Sequence, residues 1–235
     1  MTGPNITSTP AGHNGALPTR VPRRDEIAGA TVEVMLKGGP SKADLSVVDV
    51  GEGPTVVKDF ANKTWWVRLL GRVQISREYH AYRWLEGMEG VPALVGRVDA
   101  LAIAIEKVEG QRLAYAPETR DRGDEFVVKL RELIDRMHGR GLAHLDLRGR
   151  ENLLLRPDGE LVIVDLAGAQ WLRPGSLAHR LFFPILAYPD ETAFIKWKEM
   201  LTPGRLTEKE QALARRFDRL RPLWPFNKKK SKRRA

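Results

Sequence analysis

The chain has no cysteine among its 235 residues. That excludes disulfides and thiolate zinc sites and suits a reducing compartment. No apolar run reaches the roughly 18 residues needed to cross a bilayer, and the start of the chain lacks the apolar core of a signal peptide. A cytoplasmic location is therefore expected. Acidic residues are few relative to basic ones: the net charge is +9 and the pI about 9.9. A basic surface points to phosphate-bearing partners such as nucleotide, nucleic acid or an anionic membrane. No aromatic stacking motif for nucleic acid is present, which ranks nucleic acid below the others. Apolar residues make up 42% of the chain, enough for the core of one domain or two small lobes, and a monomer is expected.

The chemistry is concentrated between His138 and Gly168. Leu153–Leu155 and Leu161–Val164 are short apolar runs on either side of Pro157-Asp158-Gly159, a turn signal. The spacing predicts loop, strand, tight hairpin, strand. Asp146 and Asn152 precede the first strand and Asp165 ends the second, so a hairpin brings all three to one end. Two carboxylates and an amide gathered there can hold a divalent cation through oxygen and orient a hydroxyl nucleophile.

The first part of the chain predicts strands. Residues 1–28 are rich in Pro, Gly, Thr and Asn and are expected to form a disordered, mildly basic tail carrying Arg20, Arg23 and Arg24. Strands are expected over Thr31–Leu36, Leu45–Val50 and Thr55–Phe60, with a turn at Lys37-Gly38-Gly39-Pro40. Gly51 and Gly53 at the second turn would let the backbone approach a phosphate; a plain hairpin turn is the alternative. Lys58 lies near the end of the third strand. Asn62–Gly71 reads as irregular and Ser76–Met88 as a helix capped by Ser76, with Glu78 in its first turn. A hairpin over Ala93–Val98 and Leu101–Ile105 leads into a connector from Glu106 through Val108 to Gly110.

Glu125–Arg140 has apolar residues at helical spacing and two glycines to stop it. Leu177–Tyr188 and Glu191–Leu201 read as two helices, with prolines bending or ending the first. Thr207–Leu220 reads as a third, opened by a Thr-x-x-Glu capping box. In the last segment six of the eight residues from Lys228 to Ala235 are Lys or Arg, just after Trp224 and Phe226. That cluster suits peripheral attachment to the inner face of an anionic membrane.

His144, Asp146 and Asn152, followed by Asp165-Leu166-Ala167, resemble the protein-kinase template H-R-D-x-x-x-x-N followed by D-F-G. There are two departures. Five residues separate Asp146 from Asn152 where the template has four, and Leu-Ala replaces Phe-Gly. The resemblance implies an α+β, two-lobed protein-kinase-like fold: a β-rich N-lobe over 29–106, a small helical C-lobe over 107–221, and a basic C-terminal tail over 222–235. It implies that Asp146 accepts the proton of the acceptor hydroxyl and that Asn152 and Asp165 hold Mg2+. Lys58, paired with Glu78, would grip the α/β-phosphates of ATP under Gly51 and Gly53. Backbone groups from Glu106 to Val108 would meet the adenine. Arg148 would lie by the γ-phosphate or serve structure.

Val57-Lys58-Asp59-Phe60, Gly71-Arg72, Arg77-Glu78, Gly90-Val91-Pro92, Val108-Glu109-Gly110 and His144 through Asn152 occur in order. Together they resemble the bacterial lipopolysaccharide-core (Kdo/heptose) kinase family, within the RIO-like atypical kinases. That family tolerates the longer loop. It implies transfer to a sugar hydroxyl of a lipid-linked acceptor or to a protein Ser/Thr. Two other classes stay open: a pseudokinase serving as a nucleotide-binding or scaffold module, and an RNA-associated protein.

Overall fold

The computed structural model describes residues 18–220. The expected tail over 1–17 and the basic segment over 222–235, with Trp224, Phe226 and the Lys/Arg cluster, lie outside the described residues. The chain divides into two compact units between Val108 and Glu109.

The first unit is a five-stranded antiparallel sheet and one long helix. A short helical turn, α1 (Ile27–Ala30), precedes β1 (Thr31–Leu36), β2 (Asp44–Asp49) and β3 (Pro54–Asp59). Then come α2 (Trp65–Trp84), β4 (Leu94–Asp99) and β5 (Ala102–Glu106). The spatial order is β1-β2-β3-β5-β4. Val48, Val57, Ala102 and Ala104 form a fully buried cluster on this sheet, with Ile27 and Ala30 packed against it. β-branched and small residues at such positions suit a pleated, covered surface.

Two expectations for this unit are corrected. Residues 18–28 are folded rather than disordered. Thr19 and Arg20 donate their backbone N–H groups to Glu52, the Arg24 guanidinium bonds both Asp59 and Asp99, and Pro22 is buried. Composition hid this because the contacts are long-range, several of them polar or ionic and the apolar ones made by scattered residues such as Pro22 and Ile27, which leave no local periodicity. The helix also begins well before Ser76, at Trp65, with Thr64 as its N-cap. Its buried side is Val67, Gly71, Ile75, Glu78, Ala81 and Tyr82. A glycine and a glutamate stand in that stripe while large apolar residues face out, so the apolar pattern did not reveal the helix. Gly71 is there for space: a Cβ would come within 2.5 Å of the Phe60 ring.

The second unit is built on two long helices. It contains β6 (Gln111–Arg112), α3 (Gly123–Gly139), β7 (Leu142–Ala143), β8 (Leu153–Leu155) and β9 (Leu161–Ile163). β10 (Gln170–Trp171), α4 (Leu177–Leu201) and α5 (Glu208–Leu220) complete it. α3 buries Phe126, Leu130, Leu133, Ile134 and Met137, the stripe expected from the sequence. The chain turns away from it at Gly141, whose φ is 76° and where a Cβ would strike the Leu172 carbonyl oxygen. β8 and β9 pair as the expected hairpin, Leu153 opposite Ile163 and Leu155 opposite Leu161.

α4 is one helix, not two. Pro184 and Pro189 lie inside it. Each lacks an N–H, leaving the carbonyls of Arg180 and Ile185 without their helical donors. Both of those residues are exposed, where water can replace the bond. Phe183, Ala187, Asp190, Ala193 and Trp197 form one buried stripe running past both prolines, and packing along it keeps the helix whole. At α5, Thr207 and Glu210 exchange the two bonds of a capping box, at 2.8 and 3.3 Å.

Candidate active site

In the first unit Lys58 is held in place. Its Nζ lies 2.7 Å from the Glu78 carboxylate, and both residues are buried. Glu78 sits in the interior of α2 rather than in its first turn, so the acid is not a capping charge. A buried carboxylate and ammonium compensate each other, and removing either partner strands the other charge.

The sheet register relocates the glycine turn. Lys58 pairs with Leu45 and Asp59 with Asp44, at the start of β2. The turn beside them is the one between β1 and β2, which carries Gly38 and Gly39. Gly51 and Gly53 lie in the opposite turn, where Asp49 pairs with Pro54. From Pro54 to Lys58 the strand runs for about 13 Å. The N–H groups of both glycines donate to Asp49 Oδ1, at 2.8 and 3.2 Å. This is a closed hairpin turn, which corrects the expectation that Gly51 and Gly53 cover the phosphates gripped by Lys58.

The other turn is tightly built. At Gly38 a Cβ would collide with the Ala43 carbonyl oxygen. Asp44 accepts the Gly38 N–H at 2.8 Å and the Lys63 ammonium at 2.6 Å. Lys63 also donates to the Gly38 carbonyl at 3.0 Å. Counting strands would have found this turn: a lysine near the end of the third strand puts the neighbouring turn one hairpin earlier. Farther along the unit, Glu106 ends β5 opposite Thr55, and its carboxylate accepts the Ala93 N–H at 2.9 Å. Val108 is the last residue of the unit.

In the second unit the polar residues of the hairpin do come together. The Asn152 side-chain amide donates to the Asp146 carbonyl at 2.8 Å. That acceptor requires the amide nitrogen, so Oδ1 is the Asn152 atom that can ligate a cation. The Val164 N–H donates to the Asn152 carbonyl at 3.0 Å, tying the loop to the residue before Asp165. His144 makes a second tie. Its Nδ1 accepts the Asp146 N–H at 3.2 Å, so the proton sits on Nε2, which donates to the Val164 carbonyl at 3.1 Å.

Leu145 and Asp165 have positive φ, 66° and 65°. Non-glycine residues hold that conformation only where their surroundings enforce it. For Leu145 the enforcing group is Asp190 on α4. This fully buried carboxylate accepts the N–H groups of His144 at 2.7 Å and Leu145 at 2.9 Å, and lies 3.1 Å from His138 Nε2. α4 grips the loop at two further points: Trp197 Nε1 donates to the Leu147 carbonyl and Lys196 Nζ to the Arg148 carbonyl. Sequence reasoning missed Asp190. The available signal was an acid closing a long acid-free stretch, the first acid after Asp165.

Of the two roles open to Arg148, its contacts favour the structural one. Its Nη1 donates to the Thr192 carbonyl at 2.9 Å, and the guanidinium lies 4.7 Å over the Phe217 ring. A side chain anchored to α4 and α5 serves to seat the loop, the second of the two roles expected of it.

The donor set suits Mg2+. Asp165 and Asn152 offer hard oxygen ligands. Among the described residues no cluster of three or more His, Cys, Asp or Glu is placed to cage a metal. Mg2+ needs no such cage, because it keeps waters and takes phosphate oxygens when held by one or two protein groups.

No protein-family model and no curated protein matches the chain. A solved structure does: the crystal structure of the Rio2 kinase-ADP/Mg2+-phosphoaspartate complex from Chaetomium thermophilum, at a TM-score of 0.53 and 15% identity. The match covers 83% of this chain and 73% of that one. The fold is protein-kinase-like. Within it, β3 carries the lysine and α2 its acid, while the loop from His144 to Asn152 and the end of β9 carry the remaining polar groups. Likeness at this identity extends to the RIO-like fold alone.

Proposed function

We propose that this chain is an ATP- and Mg2+-dependent phosphotransferase acting on an acceptor hydroxyl. The observation that carries the reading is the convergence of Asp146, Asn152 and the Asp165 backbone through the bonds to Val164, His144 and Asp190. Phosphoryl transfer asks little covalent chemistry of a protein; it asks for positioning and charge neutralisation. Lys58, oriented by Glu78, grips the α/β-phosphates. The Gly38-Gly39 turn lies at the Lys58 end of its sheet and is the better candidate to cover them. Asp165 and Asn152 Oδ1 would hold Mg2+, whose charge offsets that of the β/γ oxygens. Asp146 aims the acceptor hydroxyl and takes its proton. The connector from Glu106 to Val108 offers backbone groups to the adenine.

For the acceptor we favour a sugar hydroxyl of a lipid-linked molecule, with a protein Ser/Thr as the other candidate. The ordered motifs that resemble the lipopolysaccharide-core kinases support this choice, as does the basic charge of the chain. A labelled-ATP transfer screen against cell-envelope lipid and protein fractions decides between them. The chemical test is Asp146→Asn, which keeps size and hydrogen-bonding reach but removes the base. Transfer is expected to fall by about two orders of magnitude or more with nucleotide binding largely kept. Near-normal turnover would refute the assignment. Nucleotide binding without any turnover in the unaltered chain would mark a pseudokinase instead.

A further inference from the structure

α2 turns a large apolar surface outward. Trp65 is 78% exposed, Trp66 47%, Leu69 58%, Leu70 63% and Val73 58%. At 100° per residue these five side chains fill one arc of about 140°. The buried side, Val67, Gly71, Ile75 and Glu78, takes the opposite arc. The outward face is therefore a continuous surface and not a scatter of single residues, which would need no explanation.

Charge selects its partner. No acidic residue occurs from Trp65 to Arg77. Arg68 and Arg72 lie along one edge of the apolar arc, both exposed. Among the described residues neither side chain has an ion-pair or hydrogen-bond partner, whereas Arg24, Arg122 and Arg131 are all paired. Arg68 also stands near the start of the helix, where the macrodipole disfavours a cation. Two unpaired arginines next to two tryptophans and two leucines call for something anionic and apolar at once. A lipid surface supplies both, with aromatic rings at the headgroup level and cations against the phosphates.

The second unit repeats the combination. Leu177, Leu181, Phe182 and Ile185 are exposed on α4, Arg180 is exposed beside them, and no acid occurs between Asp165 and Asp190. A second copy of this chain is the weaker occupant of the α2 face, because a two-fold contact would put two sets of Arg68 and Arg72 into one seam, and the stretch from Trp65 to Arg77 offers no acid to pair them. No helix of the described residues is long and apolar enough to cross a membrane, so the contact is one of lying on the surface.

We propose that the outward face of α2, from Trp65 to Val73, docks on an anionic lipid bilayer, with the apolar side chains in the interfacial layer and Arg68 and Arg72 on the headgroups. The proposal does not rest on the phosphotransferase reading; together they would bring the catalytic groups to a lipid-linked acceptor.

The test uses the full chain. Because the protein lacks cysteine, Leu70→Cys introduces a single thiol for an environment-sensitive dye, and Gln211→Cys on α5 provides the control. Each is mixed with phosphatidylcholine vesicles, with and without phosphatidylglycerol. The dye at 70 is expected to shift to the blue and to be quenched by lipid-borne nitroxide only when phosphatidylglycerol is present, and the dye at 211 to do neither. Arg68→Gln/Arg72→Gln is expected to weaken vesicle affinity about thirtyfold, from two charges near the surface. Sedimentation with vesicles while the dye at 70 stays water-like would assign binding to another segment and overturn the proposal. A shift on concentrating the protein without lipid would assign the face to a second copy. A shift with a soluble protein fraction and none with vesicles would assign it to a protein partner. Each of these overturns it, as would full affinity in the double variant.

Discussion

Asp190 accepts two backbone N–H groups from the loop that carries Asp146 while holding a third group, His138, close by. It is a positioning residue: Asp190→Ala would leave two buried N–H groups unsatisfied and release Leu145 from its left-handed backbone. Each orphaned donor costs about 1–3 kcal/mol, so the substitution is expected to lower stability clearly and kcat strongly, with KM for ATP little changed. Asp190→Asn keeps one acceptor and should recover part of both losses. Equal damage to KM would show that Asp190 acts on nucleotide binding. Lys58 and Glu78 form the other decisive pair. Breaking a buried pair on one side costs about 3–5 kcal/mol. Lys58→Ala and Glu78→Ala should each weaken ATP use, and the double variant should be little worse than Lys58→Ala alone. Additive losses would mean that the two do not act as a unit.

Among elements, α2 departs most from expectation, and its geometry explains why. Its buried stripe includes Gly71 and Glu78, one chosen for space and one for charge. Gly71→Ala shows the balance. Ala gains up to about 1 kcal/mol of helix propensity over Gly. Here its Cβ would meet the Phe60 ring at 2.5 Å, and overpacking costs about 1–3 kcal/mol. The net effect is expected to be destabilising, read as a lower midpoint in urea; a raised midpoint would mean that Phe60 yields freely. α3, by contrast, was legible because its main apolar stripe points inward at helical spacing. α4 was read as two helices because proline rules are local, while the stripe from Phe183 to Trp197 that holds the helix together is tertiary. The capping box at Thr207 and Glu210 was legible because both partners lie within one turn.

At the scale of the whole molecule, the segment over 18–30 is fastened to the sheet of its unit by charge. Burial alone would raise the Asp99 carboxyl, but its hydrogen bond to Arg24, with backbone donors, holds it below the usual value. A depressed carboxylate stabilises the fold at neutral pH, and that contribution is lost as pH falls through the folded value, which lies below the ordinary aspartate value of 3.8. Arg24→Gln is expected to melt at a lower temperature than the unaltered chain at neutral pH, and the gap should narrow as the pH is taken below that ordinary value. A gap that does not change with pH would show that Arg24 holds the segment by packing. The sequence by itself determined the hairpin with its three polar ends, the β3 lysine and the α3 stripe, because each rests on residues close in the chain or on a simple period; the protein-kinase-like fold and the pairing of Lys58 with Glu78 were implied by the resemblance that the ordered motifs carry. Only the tertiary structure decided that Lys58 neighbours the Gly38 turn rather than Gly51 and Gly53, that Glu78 reaches Lys58 from the buried middle of α2 rather than from a first turn, that Asp190 supports the loop and that Arg148 seats it. Those outcomes depend on strand register and on helices packing across the chain, and neither leaves a local mark in the sequence.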